Sequence, residues 1–122
     1  MLTSQVVLAA SSWSDAKTFE LTSGSGYKTV TTTGEKLGQN KTTDSTKWTV
    51  YTASKTMYTY PKARLVNSSG NVRSDVITTA SYGKSKTGSK NTGTIGYAMY
   101  LSVKPSSWQW GTDTIKLQFK CY

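Results

Sequence analysis

Hydrophobic and polar residues alternate with a period of two along most of this chain, and helical spacing is hard to find anywhere. The run "TIKLQFKC" sets Ile115, Leu117, Phe119 and Cys121 on one side, with Lys116, Gln118 and Lys120 on the other. "GYAMYLSVK" places Tyr97, Met99, Leu101 and Val103 together, and "KWTVYTA" does the same for Trp48, Val50 and Thr52. "KTFELTS" turns Phe19 and Leu21 inward. In an extended chain successive side chains point to opposite faces, so each run reads as a strand with one buried face. Further strands are expected at residues 3–10, 27–33, 62–67 and 71–80. Turn residues separate the runs at 23–26, 38–45, 67–71, 83–93 and 105–111.

About seven to eight short strands at this spacing predict an all-β, single-domain antiparallel β-sandwich. The domain would span residues 1–122, with 1–14 an N-terminal extension or a strand that pairs with a neighbour. The segment "ARLVNSSGNVRSD", residues 63–75, reads as its clearest hairpin, because Asn, Ser and Gly supply the left-handed backbone positions of a short loop. Both sequons, at Asn40 and Asn67, read as turns in a hydroxyl-rich chain.

Composition supports this reading. Among 122 residues there are 21 Thr, 8 Tyr and 4 Trp, types that suit a pleated and half-buried surface. Thr29, Thr31 and Thr33 are expected on one exposed face. The net charge is +9, and 13 of the 15 basic residues are lysines spread from Lys17 to Lys120. That field favours anionic partners and also blunts sheet edges against aggregation.

The longest apolar run is "VVLAA", residues 6–10, far short of the ~20 residues of a spanning helix. "MLTSQVVLAASSWSD" lacks a basic n-region and a full h-region, so it does not read as an intact signal peptide; "VLAAS" reads as a leader remnant or as a native strand. Cys121 is the only cysteine, so no internal disulfide forms, and it reads first as a small hydrophobe on a strand.

Catalytic chemistry has little to draw on. With no histidine, the usual general base, the Ser-His and Cys-His pairs and the commonest metal ligand are missing. The six acidic residues are scattered, and no metal-ligand cluster or phosphate-binding glycine loop stands out. The expectation is a protein that is not an enzyme, with no catalytic residue, cofactor or metal. A carboxylate-based hydrolase would need two acids to meet in a cleft.

Binding is better served. Trp108 and Trp110 stand at i and i+2 in "SSWQWG", and Tyr58 and Tyr60 repeat that spacing in "MYTYPK". Rings on one face make a stacking platform for a sugar. Lys84, Lys86 and Lys90 lie in "GKSKTGSKNTG", which reads as a flexible hairpin tip and the densest positive charge in the chain. The expected partner is an anionic polymer, a glycan or a membrane surface; nucleic acid is disfavoured, with two arginines and no RNA-binding signature.

The alternative is a self-assembling structural or surface subunit, a homo-oligomer. Here Val6, Val7 and Leu8 add as a strand to a neighbour and Cys121 fixes the junction.

"ARLVNSSGNVRSD", the following "ITTASYG" and the later Tyr-rich "GYAMYLSV" together resemble the second half of small secreted β-sandwich proteins of Gram-positive bacteria. These include the lactococcin 972-like bacteriocins and their relatives. The resemblance covers residues 63–103; the chain departs from it in lacking histidine and in its longer N-terminal part. It implies a secreted or cell-surface, cationic protein directed at the cell envelope, leaves a bacteriocin-like antibacterial role, adhesion and a wall-associated role all open, and transfers no catalytic residue.

Overall fold

The computed structural model describes residues 12–122, and these form two packed antiparallel sheets with no helix. The strands are β1 (Lys17–Thr22), β2 (Gly38–Asn40), β3 (Trp48–Lys55), β4 (Lys62–Val66), β5 (Ile77–Thr78), β6 (Ser85–Gly88), β7 (Ala98–Lys104) and β8 (Thr112–Lys120). One sheet runs β1-β8-β3-β6 and the other β2-β7-β4-β5. The β-sandwich expected from the alternation is therefore the fold.

The predicted inward faces meet between the sheets. Phe19 and Leu21 of β1, Trp48, Val50 and Thr52 of β3, and Ile115, Leu117 and Phe119 of β8 are buried on one side. Ala63 and Leu65 of β4 and Met99, Leu101 and Val103 of β7 oppose them. Thr52 is tolerated there because its hydroxyl donates to Ala80 O at 2.9 Å. Tyr97 departs from its predicted face: it lies in the bend before β7 and is largely exposed.

Trp48, the largest fully buried side chain, links the two sheets. Its indole Nε1 donates to Asp75 Oδ1 at 2.7 Å, just ahead of β5 in the opposite sheet. Asp75 also accepts from the backbone N–H groups of Ser89 (3.0 Å) and Lys90 (3.3 Å). Room for the indole comes from Gly88, where a Cβ would collide with Trp48 Nε1. Burial alone would raise the Asp75 pKa, but the donors Trp48, Ser89 and Lys90 together outweigh it and hold the carboxyl below its ordinary value of 3.8.

These contacts correct the reading of residues 83–93 as a flexible tip. Ser85–Gly88 is an edge strand paired with β3 from Trp48↔Gly88 to Tyr51↔Ser85. The hairpin at 67–71 stands, closed by a Val66↔Val72 bridge. Asn67 Oδ1 accepts from the N–H groups of Ser69 and Asn71, and Gly70 takes φ 85°.

Other boundaries shift. Residues 27–33 form only isolated bridges, at Lys28 and Val30, and 71–80 reduces to β5 plus bridges at Val72 and Ser74. The predicted threonine face does not form: Thr31 is buried and its hydroxyl bonds that of Thr33 at 2.9 Å. Residues 38–45 are not a plain turn either. Gly38–Asn40, which includes the first sequon asparagine, pairs with β7, and Lys41 beyond it is buried. The Lys41 ammonium donates to Ser45 O, and burial pushes its pKa down against the pull of Cys121 and Asp44. The strand predicted at 3–10 lies outside the described residues.

Gly88→Ala is expected to destabilise the protein by roughly 1–3 kcal/mol in urea denaturation, because the methyl must displace a buried indole. The depressed Asp75 pKa has a definite sign. Its stabilisation is fully present above the ordinary carboxylate value and is lost as pH falls through the lower folded value. Asp75→Asn should therefore be less stable than wild type at neutral pH, with the difference in melting temperature narrowing on acidification.

Candidate binding surface

The connection between β7 and β8, residues 105–111, is fastened from within. Gln109 is buried, and its Nε2 donates to Leu21 O at the end of β1 and to Gly111 O at 3.4 Å. Two carbonyl partners fix which end of the amide is nitrogen, so Oε1 faces the other way, buried and with no hydrogen-bond partner. The backbone is a turn: Gln109 N donates to Ser106 O at 3.2 Å, and Trp108 N to Ser106 Oγ at 3.1 Å. With Gln109 held inside, its two neighbours are driven out. Trp108 is 80% exposed and Trp110 91%.

The rings do not form the extended i, i+2 platform expected from spacing, because the segment turns. They nevertheless border a single cleft, which a third ring completes from the other side of the sequence. Met57 is buried, and Thr56 N donates to Thr114 O at 3.0 Å, so the segment after β3 is tied to β8. Its next residue, Tyr58, is 99% exposed. Tyr58, Thr59, Trp108, Gln109, Trp110 and Asp113 line a cleft of about 240 Å³. Thr59 Oγ1, like Gln109 Oε1, is a buried atom without a partner. Asp113 is the one carboxylate in the lining, and its Oδ1 accepts from Thr56 Oγ1 at 3.3 Å.

Large apolar rings left in water are the informative exception in a folded surface. Three of them border this concavity, which also carries two buried polar atoms without a partner, where buried polar groups are ordinarily paired.

Tyr60 parts from Tyr58. Lys55 Nζ lies 3.5 Å from the centre of the Tyr60 ring and donates to Thr59 O at 3.2 Å, and burial lowers the Lys55 pKa. Tyr60 lines a second cleft of about 330 Å³ with Lys84 and Lys86, walled by residues 78–81 and Ser85. Lys90 joins neither cleft; its backbone holds Asp75. The seven ligand-binding candidates thus divide into an aromatic cleft, a basic cleft and one separate lysine.

Val6, Val7 and Leu8 lie outside the described residues. Cys121 is buried, burial pushes its thiol pKa up to about 11, and its sulfur faces Gln39 O at 3.5 Å. Such a thiol does not offer the surface sulfur that a junction between copies would need. Among the described residues, no group of three or more His, Cys, Asp or Glu converges as a metal site.

Sequence reasoning named Tyr58, Trp108 and Trp110 but missed Thr59, Gln109 and Asp113. A glutamine between two exposed tryptophans was the available signal, since alternation places it opposite to them. No protein-family model, curated protein or solved structure matches the chain.

Gln109→Ala removes the fastening and should destabilise the protein by about 1 kcal/mol. The same variant should change acrylamide quenching of tryptophan fluorescence, because Trp108 and Trp110 lose their fixed orientation.

Proposed function

We propose that this chain is a secreted or cell-surface binding module, not an enzyme, that takes a glycan on an anionic envelope surface. The observation that carries the reading is the cleft of Tyr58, Trp108 and Trp110 with its unpaired polar atoms at Thr59 and Gln109. A pyranose has apolar C–H faces that stack on aromatic rings and hydroxyls that need polar partners at its edge. The Asp113 carboxylate in the lining accepts from such hydroxyls. The net charge of +9 adds long-range attraction toward a negatively charged polymer. The resemblance of residues 63–103 to secreted, envelope-directed bacterial proteins, bacteriocins among them, points the same way.

The test is retention on immobilised polysaccharides by affinity electrophoresis. Trp108→Ala and Trp110→Ala should each weaken binding by about tenfold, or ~1.4 kcal/mol, with unchanged melting temperature. Added salt should weaken binding to an anionic polysaccharide much more than binding to a neutral one. Equal retention of wild type and both variants on every polysaccharide would sink the reading.

A further inference from the structure

A third cleft, of about 450 Å³, lies on the other half of the 105–111 connection. Its lining is Lys62, Lys104 and Pro105 with the turns Ser23–Gly24–Ser25 and Ser106–Ser107. The sequence pattern assigns these residues to strands and turns, and none of them is among the ligand-binding candidates it suggests.

The two lysines are direct register partners, Lys62 on β4 facing Lys104 on β7. Like charges placed opposite one another on an antiparallel ladder destabilise it. No carboxylate lines the cleft, and Lys17–Glu35 is the one ion pair among the described residues, so neither ammonium is neutralised by the protein. Arg64, two residues along β4 and so on the same face as Lys62, adds a third charge. Its guanidinium lies 3.6 Å from the centre of the Tyr27 ring, and Lys104 Nζ is 5.8 Å from the same ring.

Around the lysine pair stand four serine hydroxyls. That of Ser106 accepts from Trp108 N and keeps its own proton to donate. Ser23, Ser25 and Ser107 supply the other three.

We propose that this cleft is a subsite for a tetrahedral oxyanion, a phosphodiester or sulfate ester, borne by the same polysaccharide that stacks on Tyr58, Trp108 and Trp110. Two point-charge ammonium groups and several hydroxyl donors suit a group that accepts from many directions. The unfavourable lysine pairing becomes favourable once an anion sits between the two charges. Adjacency supports a single ligand: Ser107 and Trp108 are consecutive, yet one lines this cleft and the other the aromatic cleft. The identity of the polymer rests on the glycan-binding reading, whereas the oxyanion subsite itself can be tested alone.

The experiment is an amide NMR titration of the full chain with inorganic phosphate and with sulfate, at constant ionic strength. Saturable shifts at residues 23–25 and 106–107 are expected, with Lys62→Gln and Lys104→Gln each weakening the affinity by about tenfold. In anion-free buffer both variants should melt at or above the wild-type temperature, because the like-charge pair is relieved. Shifts that fail to saturate, or that saturate equally in the variants, overturn the subsite.

Trp108→Ala should leave the phosphate titration unchanged while losing retention on neutral polysaccharide. Neutral retention without the titration leaves the aromatic cleft standing and this subsite refuted. The titration without retention on any polysaccharide supports the subsite and refutes the glycan reading. Parallel retention on phosphodiester-bearing and sulfated polysaccharides distinguishes the two ester sources.

Discussion

The sandwich depends on the seating of one indole. Trp48 is wholly enclosed between sheets that share no strand, and an enclosed indole needs both space and an acceptor. Gly88 supplies the space from β6, and Asp75 supplies the acceptor from the opposite sheet. The same carboxylate takes the N–H groups of Ser89 and Lys90, so the end of β6 is held by the residue that holds the tryptophan. An otherwise short and lysine-bearing edge strand is thereby fixed, and with it the wall of the Tyr60–Lys84–Lys86 cleft. The charge of Asp75 is kept because donors from Trp48, Ser89 and Lys90 converge on it, against the burial that would neutralise it.

The connection from β7 to β8 follows a similar logic. A short connection between two long strands has few residues with which to satisfy its own backbone. Gln109 turns inward to bond Leu21 O and Gly111 O, which settles the conformation and leaves its two tryptophan neighbours in solvent. Exposing them forgoes burial energy of about 1.5–3 kcal/mol for each large apolar side chain. That sacrifice concentrates where Tyr58 arrives from the β3–β4 segment, and where the polar atoms of Thr59 and Gln109 lack partners. On the far side of the same connection, Lys62 and Lys104 face each other without a counter-charge. The exposed rings, the partnerless polar atoms and the opposed lysines thus fall on the two sides of one connection.

Much of the fold was legible in the chain because its cause is local. Alternation in "KTFELTS", "KWTVYTA" and "TIKLQFKC" assigns the buried faces of β1, β3 and β8, since a strand's side chains must point alternately to its two sides. The Asn67–Asn71 turn was legible because its hydrogen bonds and the positive φ of Gly70 lie within a few residues. The exposed aromatics were legible as residue types. Lys41 was not: a lysine in a polar stretch reads as solvated, and its burial follows from the Ser45 carbonyl and the C-terminal strand end packing around it. Residues 83–93 misled for the same reason, because a Gly/Ser/Lys-rich composition describes an edge strand as well as a loop.

By itself, then, the sequence determined the class of fold, the inward faces of the long strands, the chain reversal at residues 67–71 and the net positive charge. Each follows from backbone geometry and composition over short stretches. Only the tertiary structure decided that Tyr58 shares a cleft with Trp108 and Trp110, that Gly88 leaves room for Trp48, and that Lys62 opposes Lys104. Those pairings join residues some forty to fifty positions apart, with Trp110 the most distant from Tyr58. They are set by which strands become neighbours and in what register, and strand order is a property of the closed core as a whole.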